Sequence, residues 1–134
     1  MSEFWITLVV IFTGAIGFLL ATFWFRPILR YSNLKAQILS DFIFYANAIN
    51  TDGLNEEMKK RGLARAEANR RHSADLEACF QHLPRLYLWL LSRRQEKPDM
   101  ASKEMMGLSN TSDWEAAAKR IDKIRAFLRF PPER

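Results

Sequence analysis

At 134 residues the chain has room for one domain and not two. Hydrophobic residues make up 49%, charged residues 26%, there is one cysteine, and the net charge is +5, which excludes a disordered chain, a disulfide scaffold and a multi-domain enzyme. The mean hydropathy of -0.20 is an average over two unlike parts. All 20 Lys and Arg lie from Arg26 onward, and setting Glu3 aside leaves 14 acids, so residues 26–134 carry +6.

The first element runs from Phe4 to Phe25, 22 residues without a charge. As a helix it rises about 33 Å, enough to cross a hydrocarbon core about 30 Å thick. Its polar members, Thr7, Thr13 and Thr22, can bond back to helix carbonyls. A cleaved signal peptide would need a basic start, a shorter apolar run and a small-residue cleavage site. Here Met-Ser-Glu opens the chain, and Phe23, Trp24 and Phe25 occupy the cleavage region. A retained anchor over residues 1–26 is therefore expected. Phe4 and Trp5 at one end and Phe23, Trp24 and Phe25 at the other form interfacial belts. Arg26, Arg30 and Lys35 flank only the second end, which by the positive-inside rule puts the N-terminus outside and residues 27–134 in the cytoplasm. Thr13, Gly17 and Ala21, with Gly14 beside them, make a small-residue stripe on which a second helix could pack.

Pro27 is expected to end or kink the span. Tyr31, Leu34, Ile38, Phe42, Tyr45 and Ile49 then recur at helical spacing, and residues 50–53 (Asn-Thr-Asp-Gly) signal a turn. A second helix is expected from near Asn55 towards Leu83, with Met58, Ala66, Ser73, Leu76, Phe80 and Leu83 on one side. Gly62 weakens it by about 1 kcal/mol relative to Ala, and close packing would account for its small size. After Pro84, residues 86–91 are an unbroken apolar run, too short to span a bilayer. They read as a short core helix, or as a segment dipping into the headgroups with Trp89, Arg93 and Arg94 at the interface. Pro98-Asp99 suits another helix start, with Gly107 capping or bending it. A capping box, Ser112 to Glu115, then precedes a last stripe of Trp114, Ala117, Ile121, Ile124 and Leu128. Pro131 and Pro132 follow. The fold class expected is all-α: one N-terminal transmembrane helix and a small cytoplasmic domain of about four helices.

Chemistry is sparse. Cys79 and His82 are three apart on a helix, but nothing in the sequence supplies an orienting group or an oxyanion site, so a buried structural thiol is expected. His72 and Asp75 have ligand-like spacing, yet two weak ligands do not make a metal site. No catalytic residue, metal or cofactor is expected. Lys59, Lys60, Arg61, Arg65, Arg70 and Arg71 crowd one helix, and Arg93, Arg94 and Lys97 form a second cluster. Glu56, Glu57, Glu67, Asp75 and Glu77 dilute the first, which argues against nucleic acid. Lipid headgroups are the nearer partner for an anchored domain, with Arg26, Arg30, Trp89, Arg93 and Arg94 as contacts. Asn47 and Asn110 sit near helix ends, where amides satisfy backbone groups or meet a ligand.

The residues Pro27 to Tyr31 after a single span, Tyr45-Ala46-Asn47, Leu83-Pro84, and Gly107-Leu108-Ser109-Asn110 before a final amphipathic helix go together. In this the chain resembles a group of uncharacterised small bacterial single-span membrane proteins. The resemblance implies a bacterial inner-membrane setting and carries no activity. The function expected is a membrane-anchored interaction or scaffold module, assembling with itself or another membrane protein. The alternative is a phage-type effector, a holin-like lysis or exclusion protein.

Overall fold

A computed structural model describes residues 2–46 and 55–131. Among them there is no strand, and the all-α expectation holds. The chain opens with one unbroken helical rod from Ser2 to Phe44. Its parts are α1 (Ser2–Leu20), a π-helical turn (Ala21–Phe25) and α2 (Arg26–Phe44). Four helices follow: α3 (Glu56–His82), α4 (Arg85–Arg93), α5 (Pro98–Ser109) and α6 (Trp114–Leu128).

Pro27 does not end the rod. It has no N–H to donate, and in a regular helix its ring would strike the carbonyl four residues back. The π turn meets both demands. Arg26 N–H reaches Ala21 O, five residues back, and the helix resumes with the proline in its first turn. The border between the apolar stretch and the domain thus falls inside a helix.

The stripe read on α2 is the core edge of the domain: Tyr31, Leu34, Ile38 and Phe42 are buried. Tyr45 is half-buried, and Ile49, like the turn at 50–53, lies outside the described residues. Helix α3 packs between α2 and α5, and α6 packs on α5. Leu76, Cys79, Leu83, Leu91, Ala101, Met105, Leu108, Ala117, Ile124 and Leu128 complete the core.

Several helix ends follow their sequence signals. Asn55 caps α3, its side chain accepting from Met58 N at 3.0 Å. Pro98 opens α5. The cap of α6 is Asp113 and not Ser112: its carboxylate accepts from Ala116 N at 2.8 Å, three residues on, and with alanine there the expected capping box does not form. Gly107 neither caps nor ends α5. It lies inside the helix, where a Cβ would meet the Arg120 guanidinium, and its bare backbone lets Arg120 cross α5 to Glu104 at 2.8 Å. Helix α6 stops at Arg129, a left-handed residue at φ 58°, before the prolines.

Two burial expectations fail. Trp114, the first residue of α6, is exposed. On α3 the buried row is Arg65, Asn69, His72, Ser73, Leu76 and Cys79, while Met58, Ala66 and Phe80 are only half-buried. Much of the inner face of α3 is polar, and Arg65, His72 and Ser73 on it are each held by a specific partner on another part of the chain.

Candidate membrane-proximal site

Helix α1 touches no core. None of its residues is buried, and neither is any of the π turn. From Phe4 to Phe25, 14 large apolar side chains stand 40–65% exposed. At about 1 kcal/mol or more each, immersing them in water would cost on the order of the 5–15 kcal/mol that stabilises a whole domain. This helix is long and apolar enough to cross a membrane. Thr7 and Thr13 bond back to Glu3 O and Val9 O at 2.9 and 2.8 Å, as expected of hydroxyls in a span. Thr13, Gly14, Gly17 and Ala21 are all exposed, and a Cβ at Gly14 or Gly17 would meet open space.

The rod leaves this apolar stretch beside the end of α3. Thr22, Arg26, Pro27 and Arg30 from the rod, with Cys79 and His82 from α3, line a cavity of about 190 Å³. Arg26, Arg30 and Cys79 also border a larger neighbouring cleft of about 440 Å³ that reaches Asp75. Thr22 Oγ1 is buried without a hydrogen-bond partner among the described residues, unlike Thr7 and Thr13. The site is basic, with two arginines exposed at its mouth.

The other predicted contacts gather on α4. Arg93 stacks its guanidinium 5.3 Å from the Trp89 ring centre. Arg94 closes α4, its N–H reaching Leu90 O. Tyr87 meets Tyr31 edge-on at 6.3 Å, which sets α4 against the first turns of α2. Arg26, Arg30, Trp89, Arg93 and Arg94, scattered in sequence, are therefore on elements that adjoin one end of the domain. Asn110 is elsewhere: it accepts from Arg70 at 3.2 Å and donates to Met106 O at 3.3 Å. Asn47 lies outside the described residues.

The basic cluster of α3 is divided among internal tasks. Arg65 is buried and donates to Thr111 O at 2.9 Å, and burial lowers its pKa. Arg70 holds Asn110, Arg61 lies 5.7 Å from the Phe44 ring centre, and Lys59 and Arg71 pair with Glu56 and Glu67. Reactive chemistry is equally tied down. The Cys79 thiol is buried, and desolvation raises its pKa. His82 Nδ1 is 2.7 Å from Ala78 O in its own helix. His72 does not join Asp75. Its Nε2 lies 2.5 Å from Asp41 Oδ2 on α2. No three His, Cys, Asp or Glu converge on a metal-sized site among the described residues.

Sequence reasoning missed the contacts that lock α2 to the rest. Glu96, buried after α4, accepts from the Tyr31 hydroxyl at 2.6 Å and from Lys35 Nζ at 2.5 Å. Lys35 also lies over the Tyr31 and Phe130 rings. Burial, then the bond to Glu96, pushes the Tyr31 phenol far above its ordinary pKa. Ser73 donates to Ser102 O at 2.7 Å, joining α3 to α5. The hydrogen-bonded partners are 29 or more residues apart in sequence, and no local pattern marks them. Compared with known proteins, the chain matches no family model, no curated protein and no solved structure.

Proposed function

We propose that this protein is a non-enzymatic, membrane-anchored helical module of a bacterial inner membrane. In this reading α1 crosses the bilayer with its N-terminus outside, and α2–α6 form a cytoplasmic domain. The carrying observation is that the folded domain covers none of α1, although α1 is the most apolar part of the chain. Lipid and a second helix are the surfaces that can cover it. The open stripe Thr13, Gly14, Gly17, Ala21 supports helix–helix assembly with another copy or another membrane protein, since glycine lets backbones approach. The orientation rests on Arg26, Arg30 and Lys35 at one end only. A scaffold role is supported by the burial of Cys79, by His72 facing Asp41, and by the exposed His82 turning back to Ala78 O of its own helix.

The reading is tested in native membranes. The chain is expected to stay with the membrane under alkaline carbonate, and a Gly17→Cys variant is expected to crosslink to a neighbouring span. Extraction by carbonate would remove the anchor. A crosslinking pattern equal at Gly17→Cys and at Phe18→Cys, on another face, would remove the stripe.

A further inference from the structure

Helix α4 is a poor core helix. It gives the core one fully buried residue, Leu91, with Tyr87 and Leu88 half-buried. Leu86 and Trp89 are 56% and 57% exposed, and Leu90 is 37% exposed. These three are spaced i, i+3 and i+4, so they share one face, and Arg93 extends that face by a further turn with its guanidinium on Trp89. A soluble surface helix would carry polar residues there. An aromatic and two leucines edged by arginine is the build of a helix lying in a membrane interface.

Its position in the fold says which surface it meets. Cys79 and His82 share a cavity with Thr22, Arg26, Pro27 and Arg30, so the end of α3 stands where the rod leaves its apolar stretch. Leu83 and Pro84 alone separate His82 from α4. Tyr87 then meets Tyr31. Along a helix, residues 26–31 lie roughly 2–9 Å beyond Phe25, and the headgroup layer of one leaflet is roughly 5–8 Å deep. The cavity that joins His82 to Arg26 and Arg30 is therefore level with the headgroups, α4 begins three residues after His82, and its contact with Tyr31 stands at the outer edge of that layer. The charge fits as well: Arg26, Arg30, Arg85, Arg93 and Arg94 are exposed, and nearby Glu96 is already held by Lys35.

We propose that α4 is a second membrane contact, seated in the leaflet that the span leaves, with Leu86, Trp89 and Leu90 at the acyl–headgroup boundary and Arg26, Arg30 and Arg93 on anionic lipid phosphates. The proposal rests on the anchoring of α1. It makes the attachment two-point, so the domain is held in one orientation against the bilayer and does not swing on the rod.

The full chain with Trp5, Trp24 and Trp114 replaced by Phe reports on Trp89 alone. It is reconstituted in phosphatidylcholine vesicles with and without an equal part of phosphatidylglycerol. With the anionic lipid, Trp89 emission is expected to shift to the blue, iodide quenching to fall severalfold, and lipids brominated near the headgroup to quench it. Leu86→Glu with Leu90→Glu, both on the exposed face, is expected to restore iodide access while the chain still floats with the vesicles. Full iodide access in a chain that floats overturns the second contact and leaves the anchor standing. A chain that does not float overturns both. Protection that vanishes on dilution of the protein in lipid assigns the face to another protein and overturns the proposal. Equal protection without phosphatidylglycerol overturns its anionic part.

Discussion

Helices α1 and α2 are halves of one rod, yet they read as residues chosen for two solvents. Along α1 the apolar side chains face every direction and none is buried. Along α2 the buried ones fall in a single row, Tyr31, Leu34, Ile38 and Phe42, which is inside the domain, while Leu29, Ile43 and Phe44 near its two ends stay exposed. A helix apolar all round needs an apolar medium, whereas a striped one needs a protein on one side and water on the other. The difference shows that burial in this chain is set by the pattern of apolar residues and not by their number.

The comparison breaks most readily at isoleucine. Ile38 is fully buried and Ile16 is 55% exposed. Ile38→Ala is expected to cost roughly 2–5 kcal/mol of domain stability, because it removes core contacts and leaves a cavity. Ile16→Ala, the same chemistry in the other half, is expected to leave the unfolding of the domain unchanged. Denaturant midpoints of the full chain in micelles, followed by near-ultraviolet circular dichroism, measure both. A comparable loss from Ile16→Ala would mean that α1 packs on the domain after all.

The polar clamp on α2 comes next. Glu96→Ala is expected to cost roughly 3 kcal/mol, since it strands a partly buried ammonium and a buried phenol at once. Glu115→Ala removes an exposed pair with Lys119 and is expected to cost under about 0.5 kcal/mol. Near-equal losses in the two variants would show that the clamp contributes no more than a surface pair.

A smaller effect depends on pH. Burial and Glu96 keep the Tyr31 phenol protonated in the folded chain beyond the pH at which an unfolded phenol ionises. The folded state then binds more protons above about pH 10, and stability falls as pH rises there. Below about pH 10 the contribution is complete. Tyr31→Phe is expected to lose roughly 1–2 kcal/mol at neutral pH, the worth of a hydroxyl bonded to a carboxylate. The variant should also show a shallower loss above pH 10. An unchanged alkaline slope would mean that the phenol is free to ionise in the folded state.

How much of this was legible follows from the same contrast. Local periodicity fixes which face of a helix is apolar, and so Tyr31, Leu34, Ile38 and Phe42, and Ala117, Ile124 and Leu128, were readable. The inner face of α3 was not, because Arg65 and His72 look like solvated residues until Thr111 O and Asp41 stand opposite. Glu96 carried no signal at all, since its partners are 61 and 65 residues away. Arg26 and Arg30 lie far in sequence from Trp89, Arg93 and Arg94, and only the fold sets α4 beside the rod.

The joint between the two halves gives the smallest expected effect. A proline inside a regular helix costs about 3 kcal/mol, from a lost hydrogen bond and a clash with the carbonyl four residues back. Here the turn from Ala21 to Phe25 has already widened to five-residue spacing, with Arg26 N–H on Ala21 O. Most of that cost has therefore been removed by geometry. Pro27→Ala restores a donor and some helix propensity, which favours the folded state. It also frees the unfolded chain, which disfavours folding by about 0.4–1 kcal/mol. The two nearly cancel, and the net change in domain stability is expected to stay within about 1 kcal/mol. A gain near 3 kcal/mol would mean that the π turn leaves the proline strained. The rod would then be bent under load at the point where its surroundings change.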